Sequence, residues 1–308
     1  MIIEKSEYHN YFHLKKLLEI HDCPPLLYIE GNVDLLHKED YKILCVIGSR
    51  KNTSYGRDVV ESLLRSIAKE KIIILSGLAL GIDGISHKEA IKNNLYTISI
   101  PGSGLDRDVL HPQTNVNLAN QIIEHNGLLM SERDPRFKAT IWSFPSRNRI
   151  EAALSDAVLI VESEAKSGTQ ITARLALEYN KNIGIIPGSI FSPMSVGTIK
   201  LWHDGATPIC DEGDIKDLLG IKKEIDNNTN LETNLFSEIK DKDNFDNDLN
   251  VNLNDNEQKI LEILTEPIHK DILIARSGLS FTDALITIIM LEGKGYVKEE
   301  YGEIRKVR

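Results

Sequence analysis

Short, almost unbroken apolar runs alternate with amphipathic stretches through the middle of the chain. The runs are "ILCVIGS" (43–49), "IIILSG" (72–77), "YTISIPG" (96–102), "GLLMSE" (127–132), "AVLIVE" (157–162) and "NIGIIPG" (182–188). A strand with one wet face would alternate apolar and polar residues; these runs do not, as expected of parallel strands covered on both faces. Between them, residues 56–70, 82–93, 114–125, 146–155 and 168–180 carry apolar positions at helical spacing. The alternation predicts an α/β fold: a Rossmann-like, doubly wound, mostly parallel sheet.

The pattern breaks after Ile221. "EIDNNTNLETNLFSEIKDKDNFDNDLNVNLNDN" (224–256) is mostly Asn and acidic residues with few large apolar ones. Such a stretch buries too little apolar surface to offset its conformational entropy, so an acidic, Asn-rich flexible linker is expected over 222–252. Helical apolar positions return at Ile260, Leu261, Leu264, Leu273, Ile274, Leu279, Leu285 and Ile289, and "GYVKEEYGEIRKV" reads as two strands around Tyr301–Gly302. Three helices and a hairpin form a winged-helix pattern. The expected organisation is a lead-in over 1–40, the Rossmann-like domain over 41–221, the linker, and a small winged-helix-like domain over 253–308.

Composition narrows the class without changing this picture. The 41% hydrophobic and 27% charged shares are those of an ordinary water-soluble chain. "MIIEKSEYHNYFHLKK" lacks an apolar run with a cleavage site, and no stretch approaches the ~20 apolar residues of a membrane span. Cys23, Cys45 and Cys210 are far apart, without paired metal spacing, and read as reduced thiols. A cytoplasmic protein with no membrane partner is expected. The net charge of −10 argues against a polyanion partner only globally. Basic and acidic residues balance over 41–220, so a local basic groove remains possible there.

Small residues stand at or just past the strand ends: Ser49, Gly77, Gly102, the Ser167–Gly168 turn and Gly188. Ligands of open α/β sheets bind at that edge, and small residues let them approach the backbone. In "VESEAKSGTQITARLALE" (161–178), Lys166, Ser167, Gly168 and Thr169 sit where a helix's unpaired N–H groups point, a corner suited to an anion. Arg50, after Gly48 and Ser49, offers a planar fork of donors matched to phosphate. Arg147, Asn148 and Arg149 open a predicted helix, where the dipole disfavours cations unless an anion bridges them. Asp83 reads as a helix cap, and no Ser or Cys nucleophile is tied to His87. A dinucleotide fingerprint, a phosphate-binding P-loop, a zinc helix and a nucleophile elbow are all absent, so no cofactor is expected.

Taken in order, "CPPLLYIEGNVDLL" (23–36), "IGSRKNTSYG" (47–56), "SGLALGIDGISHKEA" (76–90), "FPSRNRIEAALS" (144–155), "SGTQITARLALEYNKNIGIIPGS" (167–189) and "GTIKLWHDGA" (197–206) resemble the DprA/Smf DNA-processing family over nearly the whole chain. The resemblance implies a non-enzymatic, dimeric protein that binds single-stranded DNA and hands it to the recombinase RecA during natural transformation. Gly48, Ser49, Arg50, Ser167 and Gly168 match the family's DNA-binding turns, and Arg147, Asn148 and Arg149 its Arg-Asn-Arg block. Contacts through phosphates imply no strong sequence preference. Only about two dozen residues precede "PPLLYIEGN", so the sterile-alpha-motif-like domain that often opens members is expected to be missing. His111–Pro112 stands where many members have Tyr-Pro. The alternative is a nucleotide-binding or nucleoside-monophosphate-cleaving enzyme of the lysine-decarboxylase-like group. Against it, Thr172 stands where that group's Glu would fall, and no carboxylate is evident near the loop.

Overall fold

The computed structural model of the protein describes residues 1–221, 254–300 and 302–307. The expected linker over 222–252 lies outside the described residues, as does Tyr301, one of the two residues around which the hairpin is expected. The chain divides into two compact units, Met1–Ile225 and Asp226–Arg308.

The first unit is built on one sheet. Its strands are β1 (Ile2–Glu4), β2 (Leu26–Gly31), β3 (Lys42–Ile47), β4 (Ile72–Ser76), β5 (Tyr96–Ser99), β6 (Leu128–Ser131), β7 (Ala157–Ile160), β8 (Asn182–Ile185) and β9 (Thr207–Pro208). The spatial order is β1-β2-β6-β5-β4-β3-β7-β8-β9. The strands from β6 to β9 in that order pair in parallel, and β1 and β2 add an antiparallel edge. The helices are α1 (Ser54–Ser66), α2 (Ile82–Lys92), α3 (Val116–Glu124), α4 (Ser143–Leu154), α5 (Gly168–Glu178), α6 (Val196–His203) and α7 (Glu212–Leu218).

The unbroken apolar runs follow from burial on both faces. In β3, Ile43, Cys45 and Ile47 join the core under α4 and α5, whereas Leu44 and Val46 join the core under α1. Residues 1–40 are not a separate lead-in. Ile3, Tyr8, Leu14 and Leu17 are fully buried in the core shared with β3, and β2 pairs with β6 from Tyr28↔Ser131 to Gly31↔Leu128. Their short strands and 3-10 turns carry no long period, so the pattern alone could not assign them to the sheet.

The second unit has its own core and its own three-stranded antiparallel sheet. It comprises α8 (Asp255–Ile263), β10 (Ile268–His269), α9 (Lys270–Ser277), α10 (Phe281–Gly293), β11 (Val297–Glu300) and β12 (Glu303–Lys306), in sheet order β10-β12-β11. Ile260, Leu273, Ile288, Leu291 and Ile304 fill the core. Ile289, expected inside, is 57% exposed, because α10 turns Ala284, Ile288 and Leu291 inward instead. The helix–helix–helix–hairpin order is that of a winged helix. Among the described residues, no single helix is long and apolar enough to cross a membrane.

Candidate functional site

The strand order reverses at β3. The chain steps from β3 to β4, β5 and β6 on one side, then returns to place β7 on the other. Loops leaving β3 and β7 therefore diverge at the carboxyl edge and leave a crevice between them. A cleft of about 560 Å³ opens there. Of the residues expected to contact a ligand, Gly48, Ser49, Arg50, Arg147, Asn148, Lys166, Ser167, Gly168 and Thr169 line it.

One wall is the start of α5. Ser167 caps that helix, its Oγ accepting the Thr169 N–H at 3.1 Å. The Thr169 hydroxyl bonds those of Ser163 (2.6 Å) and Ser167, and Gln170 Nε2 donates to Ser163 Oγ at 2.9 Å. This lattice fixes the turn. A Cβ placed on Gly168 would meet nothing within 4 Å, so the first turn of α5 presents backbone to open cleft. The opposite wall carries Arg50, exposed, with its guanidinium 5.1 Å from the Phe144 ring centroid. His111 packs against the same Phe144 ring, with centroids 5.4 Å apart. Among the described residues, no carboxylate pairs with Arg50 or Lys166. Two exposed cations thus line the cleft beside a helix N-terminus, which is positive by its dipole.

The floor is buried and carries titratable groups. Arg147, with a 7% exposed side chain, lies 3.1 Å from Glu151 Oε1 and donates to the Ile100 carbonyl and to Asn148 Oδ1. Burial pushes the Glu151 carboxyl up to about 8, against the pull of Arg147. Burial also raises Asp83, opposed by Arg147 and by the N–H groups of Ala79 and Gly77. The two acids share the cleft floor. The expectation of no carboxylate near this loop is therefore corrected: Glu164 of the loop itself lines the cleft, and Asp83 and Glu151, distant in sequence, are brought in by α2 and α4. Asp83 is not the helix cap expected; Gly81 holds that position, and Asp83 accepts from the turn before it.

Three expected contact residues do not line the cleft. Arg149 bonds Glu132 Oε2 (2.7 Å), Asp22 Oδ2 (2.8 Å) and the Ser146 carbonyl (2.7 Å), tying α4 to the N-terminal segment. Residues two apart on a helix point to different faces, so Arg147 and Arg149 cannot share one. Nor do they stand at the helix start: α4 begins at Ser143, with Pro145 in its first turn where proline is tolerated. Gly77 and Gly102 serve the protein itself. A Cβ on Gly77 would stand 1.9 Å from Arg147 Nη1, and one on Gly102 would stand 2.6 Å from the Phe144 ring. Their smallness seats the floor and wall of the cleft. His87 is fully buried against Thr97 Oγ1 at 2.7 Å, and burial lowers its pKa to about 3. Phe144, Asp83 and Glu151 were the residues that sequence reasoning missed; only the helical spacing of Arg147 and Glu151 hinted at their pairing.

Residues 1–220 match the family described as DNA recombination-mediator protein A. The chain belongs to that family. Among relatives, the DNA processing protein DprA of Bacillus subtilis is 39% identical over 199 residues, covering 65% of either chain. Protein Smf of Escherichia coli is 36% identical over 204 residues, covering 66% of this chain and 53% of its own. The matched part is thus less than two thirds of either relative's length. Of solved family structures, DprA from Streptococcus pneumoniae is 33% identical with a TM-score of 0.64, covering 70% of this chain and 73% of its own. DNA processing protein A from Helicobacter pylori, a structure reported for its single-stranded DNA binding mode, is 33% identical with a TM-score of 0.60, covering 67% and 91%.

Proposed function

We propose that this protein binds single-stranded DNA through its phosphates, without strong sequence preference, and passes the strand to RecA during uptake of transforming DNA. The observation that carries the reading is the cleft at the switch point. Arg50, Lys166 and the open N-terminus of α5 converge there, on backbone that Gly168 leaves uncovered. Donors of this kind recognise phosphate and carry no base information. Family membership and the Helicobacter pylori relative's single-stranded DNA binding support the same reading. Delivery to RecA, a homodimeric state and a cytoplasmic location extend it by resemblance. No chemical step is assigned to the site.

A second reading rests on one specific observation. Asp83 and Glu151 place two carboxyl groups in the cleft floor, as cleavage of a nucleoside monophosphate would require. Both are buried beside Arg147, which favours a role in seating that arginine. Competition gel shifts with single-stranded, duplex and mononucleotide DNA, run beside an assay for base release from AMP, separate the two. Preference for single strands with no released base is expected. Steady turnover of AMP, or equal competition by mononucleotides, would sink the DNA-binding reading.

A further inference from the structure

A second cleft, of about 460 Å³, opens on the same carboxyl edge. Neighbouring stretches of the same loops line both: residues 48–51 line the first cleft and Thr53 and Tyr55 the second, while Glu162 of the second precedes the 164–169 turn of the first. Its chemistry differs. Neither Lys nor Arg is among its lining residues, so a phosphate would find no counter-charge there. Its one carboxylate, Glu162, is already engaged by the Thr53 N–H (2.9 Å) and hydroxyl (2.5 Å).

What remains is neutral and hydrogen-bonding. Ser189 Oγ accepts the Phe191 N–H at 3.2 Å and Ser192 Oγ accepts the Met194 N–H at 3.3 Å, which leaves both hydroxyl protons to donate. Tyr55 forms another side, its hydroxyl donating to the Pro187 carbonyl at 2.6 Å. Between the lining residues Ser189 and Ser192, Phe191 is 89% exposed, in a turn closed by a backbone bond from Ser192 to Ser189 at 3.0 Å. An exposed aromatic residue in the turn that supplies the cleft's hydroxyls suits a flat ligand with polar edges. Proteins that hold single strands pair a cationic groove with aromatic rings on which bases stack.

We infer that the second cleft takes a nucleobase of the strand whose phosphates lie in the first, stacked on Phe191 and hydrogen-bonded by Ser189 and Ser192. The inference rests on the DNA-binding reading above. Its test compares oligo-dT with an abasic strand of equal length by fluorescence anisotropy, using the full chain, Phe191→Ala, the double variant Ser189→Ala/Ser192→Ala, and Arg50→Ala. Phe191→Ala should weaken oligo-dT by roughly five- to a hundredfold, the range for one stacked base, and leave the abasic strand unchanged. The serine pair should follow the same pattern more weakly, and Arg50→Ala should weaken both strands. Equal loss on both strands for Phe191→Ala, or no loss on either, overturns the base pocket alone. Failure of the parent protein to bind oligo-dT overturns the DNA-binding reading with it. Phe191 is exposed, so an unchanged melting curve is expected and excludes misfolding as the cause.

Discussion

Replacing Arg50 tests the phosphate cleft most directly, because the side chain has so little else to do. It is exposed, and its guanidinium lies 5.1 Å from the centroid of the Phe144 ring. An exposed cation–π contact contributes about 0.5–1 kcal/mol, so Arg50→Ala should fold normally. Against a phosphate, each charged hydrogen bond contributes about 1.5–3 kcal/mol. Loss of one such bond weakens binding by roughly ten- to a hundredfold at 1.4 kcal/mol per decade. Arg50→Glu should be worse, since it sets a carboxylate against the strand. Arg50→Lys should recover part of the affinity, keeping charge but not the planar fork. The dependence on salt is a second readout. Losing one phosphate contact should flatten the slope of log K against log salt by about 0.7. Anisotropy titrations of labelled oligo-dT across a salt series, with circular dichroism as the folding control, measure both quantities. A folded Arg50→Glu that binds like the parent at low salt refutes the placement of phosphate in this cleft.

Gly168→Asp should fold, because a Cβ there meets nothing and an acid suits a helix N-terminus, yet lose binding in the same titration because its carboxylate occupies the anion's place. Arg149→Ala should do the reverse: removing the partner of Glu132 and Asp22 should cost about 3 kcal/mol of stability, seen in urea melts, while oligo-dT affinity of the folded fraction stays within about threefold, a spread of roughly 0.6 kcal/mol. Glu151, raised to about 8 by burial, is protonated in the folded chain and ionised in the unfolded chain between its ordinary value and about 8, so stability should fall as pH rises through that window. His13 and His87, lowered to about 4 and 3, are neutral in both states above their ordinary value of 6.5, so from there to pH 8 they add nothing and the Glu151 contribution reaches up to about 2 kcal/mol; thermal melts of Glu151→Gln should lack it. Ending the chain at Ile221 should leave a folded unit that retains oligo-dT affinity within about tenfold, since its cores close without residues 254–307.

The apolar pattern by itself determined the parallel sheet, because a strand buried on both faces must be apolar throughout and a crossover helix must show its 3.6-residue period. The same local logic located the Lys166–Thr169 corner and Arg50, whose chemistry is visible in a few adjacent residues. It could not assign residues 1–40 to the sheet, since their short strands gain their meaning only by pairing with β6. Nor could it sort Arg147 from Arg149, or a glycine that faces a ligand from one that seats a neighbouring side chain. Those distinctions depend on which groups meet across distant parts of the chain: Gly77 beneath Arg147, Gly102 against Phe144, and Asp83 and Glu151 beside one guanidinium. Local sequence sets which way a residue can turn along its own helix or strand; only the packed sheet decides what it turns toward.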